Sequence, residues 1–358
     1  MVNKVPFSKI FIDNTKNAIK IPKENYLDDG KIPVVDQGQK YIGGYVNYVK
    51  AYTNLPCIIF GDHTRIIKYV DFPFTIGADG VKLLNINNDN FSPKFLYYHL
   101  LNFKIPNIGY NRYFKFLKEL YFTSYDLQTQ QKIVEELDCL SDIIEKKKQQ
   151  LADLDNLIKS QFIEMFGDSK TTESVRLKDI AQIITGSTPS MAVKDYYKSK
   201  DIRFYKPSDL INDINNLKDS DYWISEEARA VAHIVPPNSI LVSCIGTVGK
   251  IGITNTESTC NQQINAILPN EKFNYIYLAY NIATIKEKLQ HIAKAPVVPI
   301  INKTTFGNIE IKFETNIELQ NQFADFVKHI DKLKFELKQS IEETQNLFNE
   351  RMQHYFGE

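Results

Sequence analysis

The sequence predicts an α+β protein with two mixed α/β globules, which are separated and followed by long helices that pair as an antiparallel coiled coil. Three observations predict this fold. Segments 127–168 and 317–358 contain no Pro and carry an apolar heptad pattern. The second segment repeats the first at a constant offset of 190 residues, which indicates a pseudo-twofold internal repeat. Segments 1–126 and 169–316 contain short β-rich runs between Gly and Asp loops.

The length and composition exclude two broad classes of protein. A chain of 358 residues is expected to form two domains at roughly 100–200 residues each. A hydrophobic content of 43% is too high for a disordered chain. No stretch approaches about 18 consecutive apolar residues, so we expect no transmembrane helix. The first residues, Met1–Pro6, lack the apolar run of a signal peptide.

The cysteines predict a reducing, cytoplasmic location. None of the four lies close to another in the sequence, which argues against a zinc ribbon, a redox dithiol and a disulfide framework. They are Cys57, Cys139, Cys244 and Cys260.

A net charge of zero conceals an uneven distribution along the chain. Segment 1–126 carries 16 basic and 11 acidic side chains, and segment 169–316 carries 17 and 15. The segments 127–168 and 317–358 carry 5 and 9, and 5 and 8, respectively. The mild basic excess of the two longer segments is compatible with contact to nucleic acid, and equally with random scatter.

Segment 127–168 is expected to form a rod-like helix. Asp126 is a good N-cap and Gly167 a good C-terminal cap, and about 40 residues at ~1.5 Å each give a rod of roughly 60 Å. Lys147 and Gln161 occupy positions at which the apolar seam is interrupted. The apolar seam contains Ile133, Leu137, Leu140, Ile144, Leu151, Leu154, Ile158 and Met165.

Segment 317–358 repeats this pattern without a gap, with Asn316 in the place of Asp126. The helix-pairing residues of this second seam are Phe323, Val327, Ile330, Leu337, Ile341 and Phe348, followed by Tyr355. Seven residues recur identically at the offset of 190: Gln130, Lys148, Gln149, Asn156, Leu157, Phe166 and Gly167. Lys334 interrupts the second seam where the first has Ile144, and Lys147 interrupts the first where the second has Leu337, so these polar positions are candidates for setting the register.

The two globules are predicted to contain β-strands and one helix each. Both begin with a similar phrase, at Val5–Ile10 and Val175–Ile180, and then diverge. In the first, the predicted strands are 32–35, 57–60, 66–70 and 72–76, and the predicted helix is 93–101. In the second, the predicted strands are 202–205, 239–243 and 264–268, and the predicted helix is 275–289.

One loop of the first globule, Gly61–Arg65 (GDHTR), concentrates polar chemistry. A carboxylate, an imidazole, a hydroxyl and a guanidinium on one turn are compatible with an acid/base site, but no nucleophile or metal-ligand set accompanies them. The alternatives are a hydrogen-bonded turn, or contacts of Thr64 and Arg65 with phosphates and base edges.

The second globule contains Gly246–Lys250 (GTVGK), which resembles part of a phosphate-binding loop. The first Gly of such a loop would fall at Cys244, and Ile251 stands where Ser or Thr is required, so ATP binding is not expected. Two interpretations remain: a turn that offers backbone N–H groups and Lys250 to a DNA phosphate, or a plain hairpin turn.

Amide-rich clusters occur in both globules. Asn and Gln can pair bidentately with adenine, although a single amide is more often a solvated surface residue. Segment 111–115 adds basic residues next to aromatic ones, which belong either to an interface or to the core. The residues concerned are Gln37, Gln39, Lys40, Asn111, Arg112, Lys115, Asn261, Gln262 and Gln263.

Motifs of catalysis are missing from the sequence. We find no Gly-rich cofactor loop, no Walker A motif, no HExxH, no methyltransferase tetrad and no histidines at metal-ligand spacing, so no metal site is expected. The chain is therefore interpreted as a recognition and assembly protein without catalysis of its own. The alternative is a non-enzymatic coiled-coil adaptor with two protein-binding globules.

Several phrases resemble those of the DNA-specificity subunit of type I restriction–modification enzymes over essentially the whole chain. In the first globule they are Ile32–Tyr45 (IPVVDQGQKYIGGY), Phe60–Arg65 and Ile76–Val81; in the second they are Thr185–Pro189, Lys206–Asp209 and Ser243–Lys250. Gln130–Ile133 (QQKI) resembles the opening of the family's spacer helix, and Gln320–Phe323 does so less closely.

This resemblance implies a mechanism. Residues 1–126 and 169–316 would be target-recognition domains that each grip one half of a split, asymmetric sequence in double-stranded DNA. Helices 127–168 and 317–358 would act as spacers. Two methyltransferase subunits, which carry S-adenosylmethionine, and restriction subunits, which use ATP and Mg²⁺, would be the partners, with no cofactor in this chain and no membrane. The candidate DNA-binding residues are Gln37, Gln39, Lys40, Tyr45, His63, Thr64, Arg65, Asn111, Arg112, Lys115, Ser187, Thr188, Lys206, Ser208, Thr247, Lys250, Asn261 and Gln262.

Overall fold

Two compact units make up the computed structural model, and both long helices contribute to each unit. Unit 1 contains Met1–Gln150 and Leu337–Glu358, and unit 2 contains Leu151–Glu336. The structure describes residues 3–109, 111–167, 172–211, 214–293 and 298–357. The predicted boundary between residues 168 and 169 lies outside the described residues.

The described part of unit 1 contains two four-stranded sheets, a two-stranded ladder, two short helices and one portion of each long helix. Its strands are β1 (Asn3–Pro6), β2 (Phe11–Asp13), β3 (Lys20–Ile21), β4 (Ile32–Val35), β5 (Gly44–Val46), β6 (Cys57–Gly61), β7 (Ile67–Val70), β8 (Thr75–Gly77), β9 (Val81–Ile86) and β10 (Tyr121–Ser124). Its helices are α1 (Pro93–Asn102), α2 (Phe114–Leu117) and α3 (Leu127–Phe166).

The strand orders of unit 1 are β2-β9-β6-β7 in one sheet and β3-β8-β4-β5 in the other. The first sheet is antiparallel throughout, whereas β8 runs parallel to both β3 and β4. One cluster of buried side chains, including Val35, Ile59, Ile76 and Leu83, lies between the sheets. A second cluster packs the first sheet against α1 and the long helices.

Unit 2 has the same plan with additional strands and helices. Its strands are β11 (Thr172–Arg176), β12 (Ile183–Thr185), β13 (Ile202–Tyr205), β14 (Asn215–Leu217), β15 (Trp223–Ile224), β16 (Ile234–Val235), β17 (Ile240–Ser243), β18 (Ile251–Thr254), β19 (Ser258–Cys260), β20 (Ile264–Ile267) and β21 (Glu310–Glu314). Its helices are α4 (Leu177–Ile180), α5 (Tyr275–Thr284), α6 (Lys286–Ile292), α7 (Lys303–Gly307) and α8 (Ile317–Phe356), which continues into unit 1.

The sheets of unit 2 have the orders β12-β20-β17-β18-β14 and β15-β13-β19-β16. The arrangement β12-β20-β17-β18 corresponds to β2-β9-β6-β7 of unit 1, and the parallel pair β13/β19 corresponds to β4/β8. The fold predicted from the sequence, with two mixed α/β globules and an internal repeat, is confirmed.

Two of the predicted elements were wrong in detail. The predicted strand 72–76 begins only at Thr75, because Pro73 has no N–H to donate to a ladder. The predicted helix 275–289 is two helices that meet at Ile285. There the hydroxyl of Thr284 donates to the carbonyl of Asn281 at 2.7 Å, which competes with the helical hydrogen bonds.

The two long helices pack antiparallel within each unit. In unit 1, Glu136 forms an ion pair with Arg351 at 2.8 Å, and Lys147 donates to the hydroxyls of Ser340 at 2.7 Å and Thr344 at 2.9 Å. Increasing numbers on one helix thus meet decreasing numbers on the other, as an antiparallel pair requires. All the predicted helix-pairing residues are buried or half-buried: Ile133, Leu137, Leu140, Ile144, Leu151, Leu154, Ile158, Phe323, Val327, Ile330, Leu337, Ile341 and Phe348.

In unit 2, Lys334 pairs with Asp155 on the opposite helix, and Phe162 packs against Phe323 with ring centroids 5.2 Å apart. Both lysines that interrupt the seams, Lys147 and Lys334, therefore bond across the helix pair. Each ammonium group thus has an acceptor on the opposite helix, which offsets the cost of placing a charge between the helices.

A buried glutamine anchors the start of each long helix. The Gln130 amide accepts from the N–H of Ser92 at 2.8 Å and donates to the carbonyls of Asn90 at 2.7 Å and Tyr125 at 2.8 Å. Its counterpart Gln320 accepts from the N–H of Asn274 at 2.7 Å. Each of these two amides is fully buried, so their hydrogen bonds replace water that cannot reach them.

We expect Gln130→Met to lower the free energy of unfolding by about 1–3 kcal/mol, because the methionine leaves a buried N–H and two carbonyls without their partner. Denaturant-induced unfolding measures this change. The matched control is Gln131→Met on the exposed side of the same turn, with an expected change within about 0.5 kcal/mol. Equal effects of the two substitutions would contradict the assigned role of Gln130.

His99 is a second buried polar group of unit 1. Its Nε2 accepts from the N–H of Thr123 at 2.8 Å, while its Nδ1 is buried without a hydrogen-bond partner. Aromatic side chains surround the ring, including Phe122 at 5.0 Å and Phe356 at 4.8 Å between centroids. Burial lowers the pKa of His99 from 6.5 to about 4, so the folded unit contains the neutral imidazole.

This pKa predicts a loss of stability in acid. Because the unfolded chain binds the proton more tightly, the free energy of unfolding should fall as the pH drops from about 6.5 to about 4. The slope is about 1.4 kcal/mol per pH unit and the total about 3 kcal/mol. We expect His99→Gln, which cannot take up a proton, to remove this component. Urea titrations of both proteins at several pH values measure the difference, and parallel pH profiles would contradict the prediction.

Candidate nucleic-acid interface

The polar loops of the first globule meet at one edge of its two sheets. Because β4 and β8 are parallel, their carboxyl ends lie at the same edge. The β6–β7 turn lies at this edge too, since the last residue of β6 pairs with the first residue of β9, which follows β8 closely in the chain. We call the segments 36–43, 62–66 and 78–80 together the first loop edge. They are joined by a hydrogen bond from the N–H of Asp62 to the carbonyl of Gly80, at 2.7 Å.

Three predicted contact residues are brought together in the first loop edge. The Gln37 side-chain oxygen accepts from the N–H of His63 at 3.2 Å, and the Gln37 carbonyl accepts from the hydroxyl of Thr64 at 2.7 Å. Residues 26 positions apart in the sequence thus form one surface. Gln39 and Lys40 are exposed on the same segment as Gln37.

The segments 105–109 and 111–114 lie beside this edge, and the buried Asp62 bonds to the second of them. The Asp62 carboxylate accepts from the N–H of Phe114, and its carbonyl accepts from the N–H of Tyr113, both at 2.8 Å. His63 Nδ1 lies 3.0 Å from the carbonyl of Asn111. These bonds hold the exposed side chains of Asn111 and Arg112 beside the turn, and they favour the hydrogen-bonded turn over an acid/base site.

Arg65 packs on the same segment. Its Nη1 donates to the carbonyl of Ile105 at 3.2 Å, and its guanidinium lies 5.2 Å from the centre of the Tyr113 ring. The backbone of Arg65 is left-handed, with φ of 63°, a conformation that is uncommon for residues other than Gly. This conformation belongs to the β6–β7 turn, in which the N–H of Arg65 donates to the carbonyl of Gly61 at 2.8 Å.

Two candidates of the first globule lie outside this cluster. Tyr45 is half-buried in β5, and its backbone exchanges two hydrogen bonds with Leu27. Lys115 lies in α2, exposed, with its Nζ 5.1 Å from the centre of the Phe116 ring.

Sequence reasoning missed the residues that organise the first loop edge. Lys68, on β7, is buried and donates to the carbonyls of Asp36 and Lys40, and burial lowers the pKa of its ammonium group. Burial, together with the Asp36 carboxylate, raises the pKa of Tyr26 to about 12. The alternation of Ile67–Val70 could have revealed Lys68, because it puts this lysine on the same face as the buried Val70.

The second globule forms an equivalent edge. We call the segments 186–188, 206–209, 244–250 and 261–263 together the second loop edge. Hydrogen bonds run from the N–H of Asn261 to the carbonyl of Tyr205 at 3.0 Å, and from the N–H of Ser187 to the carbonyl of Cys260 at 2.9 Å. The N–H of Cys244 donates to the carbonyl of Gln263 at 2.8 Å, which joins the hairpin turn to the other loops.

The predicted contact residues of the second loop edge differ in exposure. Thr188 and Gln262 are exposed and bond to each other at 2.6 Å. Asn261 is buried and is engaged with Gln263, and the Ser187 hydroxyl accepts from the N–H of His233. The candidates Ser208 and Thr247 are exposed as well.

Of the two candidate lysines of this edge, Lys206 has an ammonium group that contacts another side chain of the protein. The Nζ of Lys206 lies 3.1 Å from the centre of the Tyr222 ring, close enough for a cation–π interaction, and its N–H donates to Asp209 at 2.7 Å. Lys250 is half-buried, and its N–H donates to the hydroxyl of Ser243.

The glycine turn at residues 246–250 is a hairpin turn whose N–H groups point inward. Gly246 donates to the carbonyl of Pro299, Gly249 to that of Ser243, and Val248 to that of Gly246. Because these N–H groups and that of Lys250 are bonded within the protein, they are not offered to a phosphate, which favours the plain hairpin turn. A contact of the Lys250 side chain with DNA stays a prediction.

Within the described ranges, no group of three His, Cys, Asp or Glu side chains is placed to hold a metal ion. Among the same residues, no helix has the length and hydropathy needed to cross a membrane.

The fold and the two loop edges define a class of protein with two copies of one recognition module. The sequence matches the family described as "Type I restriction modification DNA specificity domain" twice, at residues 10–155 and 169–344. The chain therefore belongs to this family, and the resemblance inferred from the sequence is confirmed.

Curated relatives of this chain are specificity subunits of type I restriction enzymes. The chain is 30% identical over 191 residues to the HindI specificity subunit of Haemophilus influenzae, a match that covers 50% of this chain and 41% of the relative. It is 23% identical over 375 residues to the EcoR124I/EcoR124II specificity subunit of Escherichia coli, covering 95% of this chain and 89% of the relative. A third match, to the MjaIX specificity subunit of Methanocaldococcus jannaschii, covers 37% of that protein. The chain thus spans less than half the length of the first and third of these relatives.

Solved structures share the fold. The S subunit of a type I restriction–modification system from M. genitalium superposes with a TM-score of 0.63 at 15% identity, covering 100% of this chain and 97% of that chain. A second structure, from a study of type I restriction–modification complex assembly, gives a TM-score of 0.60 at 15% identity, with 99% and 97% covered.

Proposed function

We propose that this chain is the sequence-specific DNA-recognition subunit of a type I restriction–modification complex, acting in the cytoplasm. Each globule reads one half of a bipartite, asymmetric target in double-stranded DNA. The observation that carries this proposal is the repeat itself: two specificity domains place their exposed polar loops at topologically equivalent edges.

The different chemistry of the two edges supports an asymmetric target. The first loop edge presents Gln39 and Lys40, with Asn111 and Arg112 beside it, whereas the second presents uncharged groups such as Thr188 and Gln262. Arg and Lys favour guanine and phosphate, while amides and hydroxyls favour adenine or either base. Two edges with different donors and acceptors select two different half-sites.

Exposed apolar side chains on the two long helices support the proposal that two copies of one partner bind there. Ile143 on α3 and Leu347 on α8 are exposed at the same level of the pair in unit 1, at 37% and 40%. Leu157 and Leu333 are exposed at the same level in unit 2, at 45% and 38%. The two pairs, which we call the apolar pairs, are related by the offset of 190, so each can bind the same surface of a partner.

The partners are two methyltransferase subunits, one per apolar pair, together with restriction subunits. S-adenosylmethionine would be bound by the methyltransferase and ATP with Mg²⁺ by the restriction subunit, and adenine methylation would be their chemistry. This chain contributes recognition and assembly without a catalytic group of its own.

Exchange of one globule tests the reading of half-sites. We expect that replacing residues 1–126 with the equivalent segment of a relative changes one half of the methylated motif and leaves the other half and the spacing intact. Each loop edge is formed within its own unit, which is the physical reason. Sequencing of methylated adenines in cells measures the motif. A change in both halves would exclude independent reading, and absence of any bipartite motif would exclude the proposed function.

Charged substitutions test the apolar pairs. We expect Leu157→Glu with Leu333→Glu to yield a complex with one methyltransferase subunit instead of two, because burying the new carboxylates is unfavourable. Ile143→Glu with Leu347→Glu should do the same, and the four substitutions together should abolish assembly. Native mass spectrometry measures the stoichiometry. The control is Lys146→Glu with Gln339→Glu at exposed polar positions; loss of a subunit in this variant would contradict a specific role of the apolar pairs.

A further inference from the structure

Lys68 is a buried lysine between the two sheets of the first globule. Its side chain is 4% exposed, and it lies on β7 among residues that face the core between the sheets. Its Nζ donates to the carbonyls of Asp36 at 2.7 Å and Lys40 at 2.6 Å, and lies 3.6 Å from the Asp36 carboxylate. Burying an ammonium group is costly, so its retention needs these three acceptors.

The ammonium group fixes both ends of the segment 36–40. Asp36 begins the segment, and its carboxylate also accepts from the N–H of Gly38 at 2.8 Å, which shapes the turn. The segment in turn holds the β6–β7 turn in place, because Gln37 accepts hydrogen bonds from the N–H of His63 and the hydroxyl of Thr64. Lys68 therefore supports the exposed side chains of the first loop edge without reaching the surface.

In the second globule, an apolar side chain occupies the equivalent space between the sheets. The residue of β18 that corresponds to Lys68 of β7 is Gly252, since both lie two residues beyond the hairpin turn of the matching strand pair. Leu210, which follows the segment 206–209, fills the space there: a methyl group on Gly252 would lie 2.6 Å from its Cδ2. Leu210 is fully buried in the cluster between the sheets.

We propose that Lys68 is a positioning residue for recognition of the first half-site: it holds the segment 36–40 in the conformation that reads DNA, although it touches no DNA itself. The proposal rests on the proposed function. A segment that is already ordered loses less conformational entropy on binding, and its donors and acceptors are held at the geometry that base edges require. Without the ammonium group, the carbonyls of Asp36 and Lys40 lose their donor and the Asp36 carboxylate loses its counter-ion, so the segment must rearrange.

The test substitutes Lys68→Met, which retains the length and apolar part of the side chain and removes the ammonium group. The chain is assembled with its methyltransferase partner, and binding is measured by competition with duplexes that carry single base changes in either half of the mapped target. We expect discrimination at the first half-site to fall roughly 10- to 100-fold and discrimination at the second to stay unchanged. Lys68→Arg, which restores a cation and its donors, should recover part of the loss.

The matched control is Lys82→Met in the same sheet, where the lysine is partly exposed and pairs with Asp13 at 3.5 Å. It should leave discrimination at both half-sites as in the wild type. Unchanged discrimination in Lys68→Met, equal loss at both half-sites, or a chain that does not fold would each overturn the proposal. A wild-type complex without a bipartite target would instead overturn the proposed function, so the two failures are distinguishable.

Discussion

A buried amide at the start of each long helix is the contact on which the architecture of each unit depends. Gln130 joins three parts of unit 1: the first turn of α3, the residue before it at the exit of β10, and the beginning of α1. Gln320 does the same for α8, β21 and α5. The N–H groups at a helix N-terminus lack helical partners, so an amide that satisfies one of them also fixes the helix in place.

The C-terminal end of each long helix packs against the globule in which the other long helix begins. Phe356, near the end of α8, packs against Phe95 of α1 with centroids 5.2 Å apart, and Phe166, near the end of α3, packs against Tyr277 of α5 at 4.7 Å. Each globule is thus held by the start of one long helix and the end of the other. This explains why the sequence repeat conserves Gln130, Phe166 and their counterparts, whereas the globules between them diverge.

The same topology supports two chemically different loop edges. In unit 1 the segment after β4 is braced by a charged side chain, Lys68, and in unit 2 the segment after β13 is anchored by Leu210. Both are located in the layer between the sheets, where a side chain can order a loop without occupying its surface. Because the supporting side chains are buried, the exposed side chains of the loop edges can differ between the two globules while the sheets keep the same topology.

The sequence alone determined the long helices and the repeat. The heptad spacing and the caps Asp126 and Asn316 act within a few residues, and the N–H of Thr129 does bond to Asp126 at 2.8 Å. The strands Ile32–Val35 and Ile202–Tyr205 were also predicted, because β-branched and aromatic runs bounded by loops are local signals.

Only the tertiary structure decided which polar residues meet. Gln37, His63 and Asn111 are distant in sequence. They become neighbours through the pairing of β4 with β8 and of β6 with β9, and through the bonds of Asp62 to the segment 113–114, which no local pattern reveals. The inward orientation of the 246–250 turn likewise depends on Pro299, far along the chain. Hydrogen bonds between distant segments depend on the register of the sheets, whereas the period and the caps of a helix depend on residues close together in the sequence.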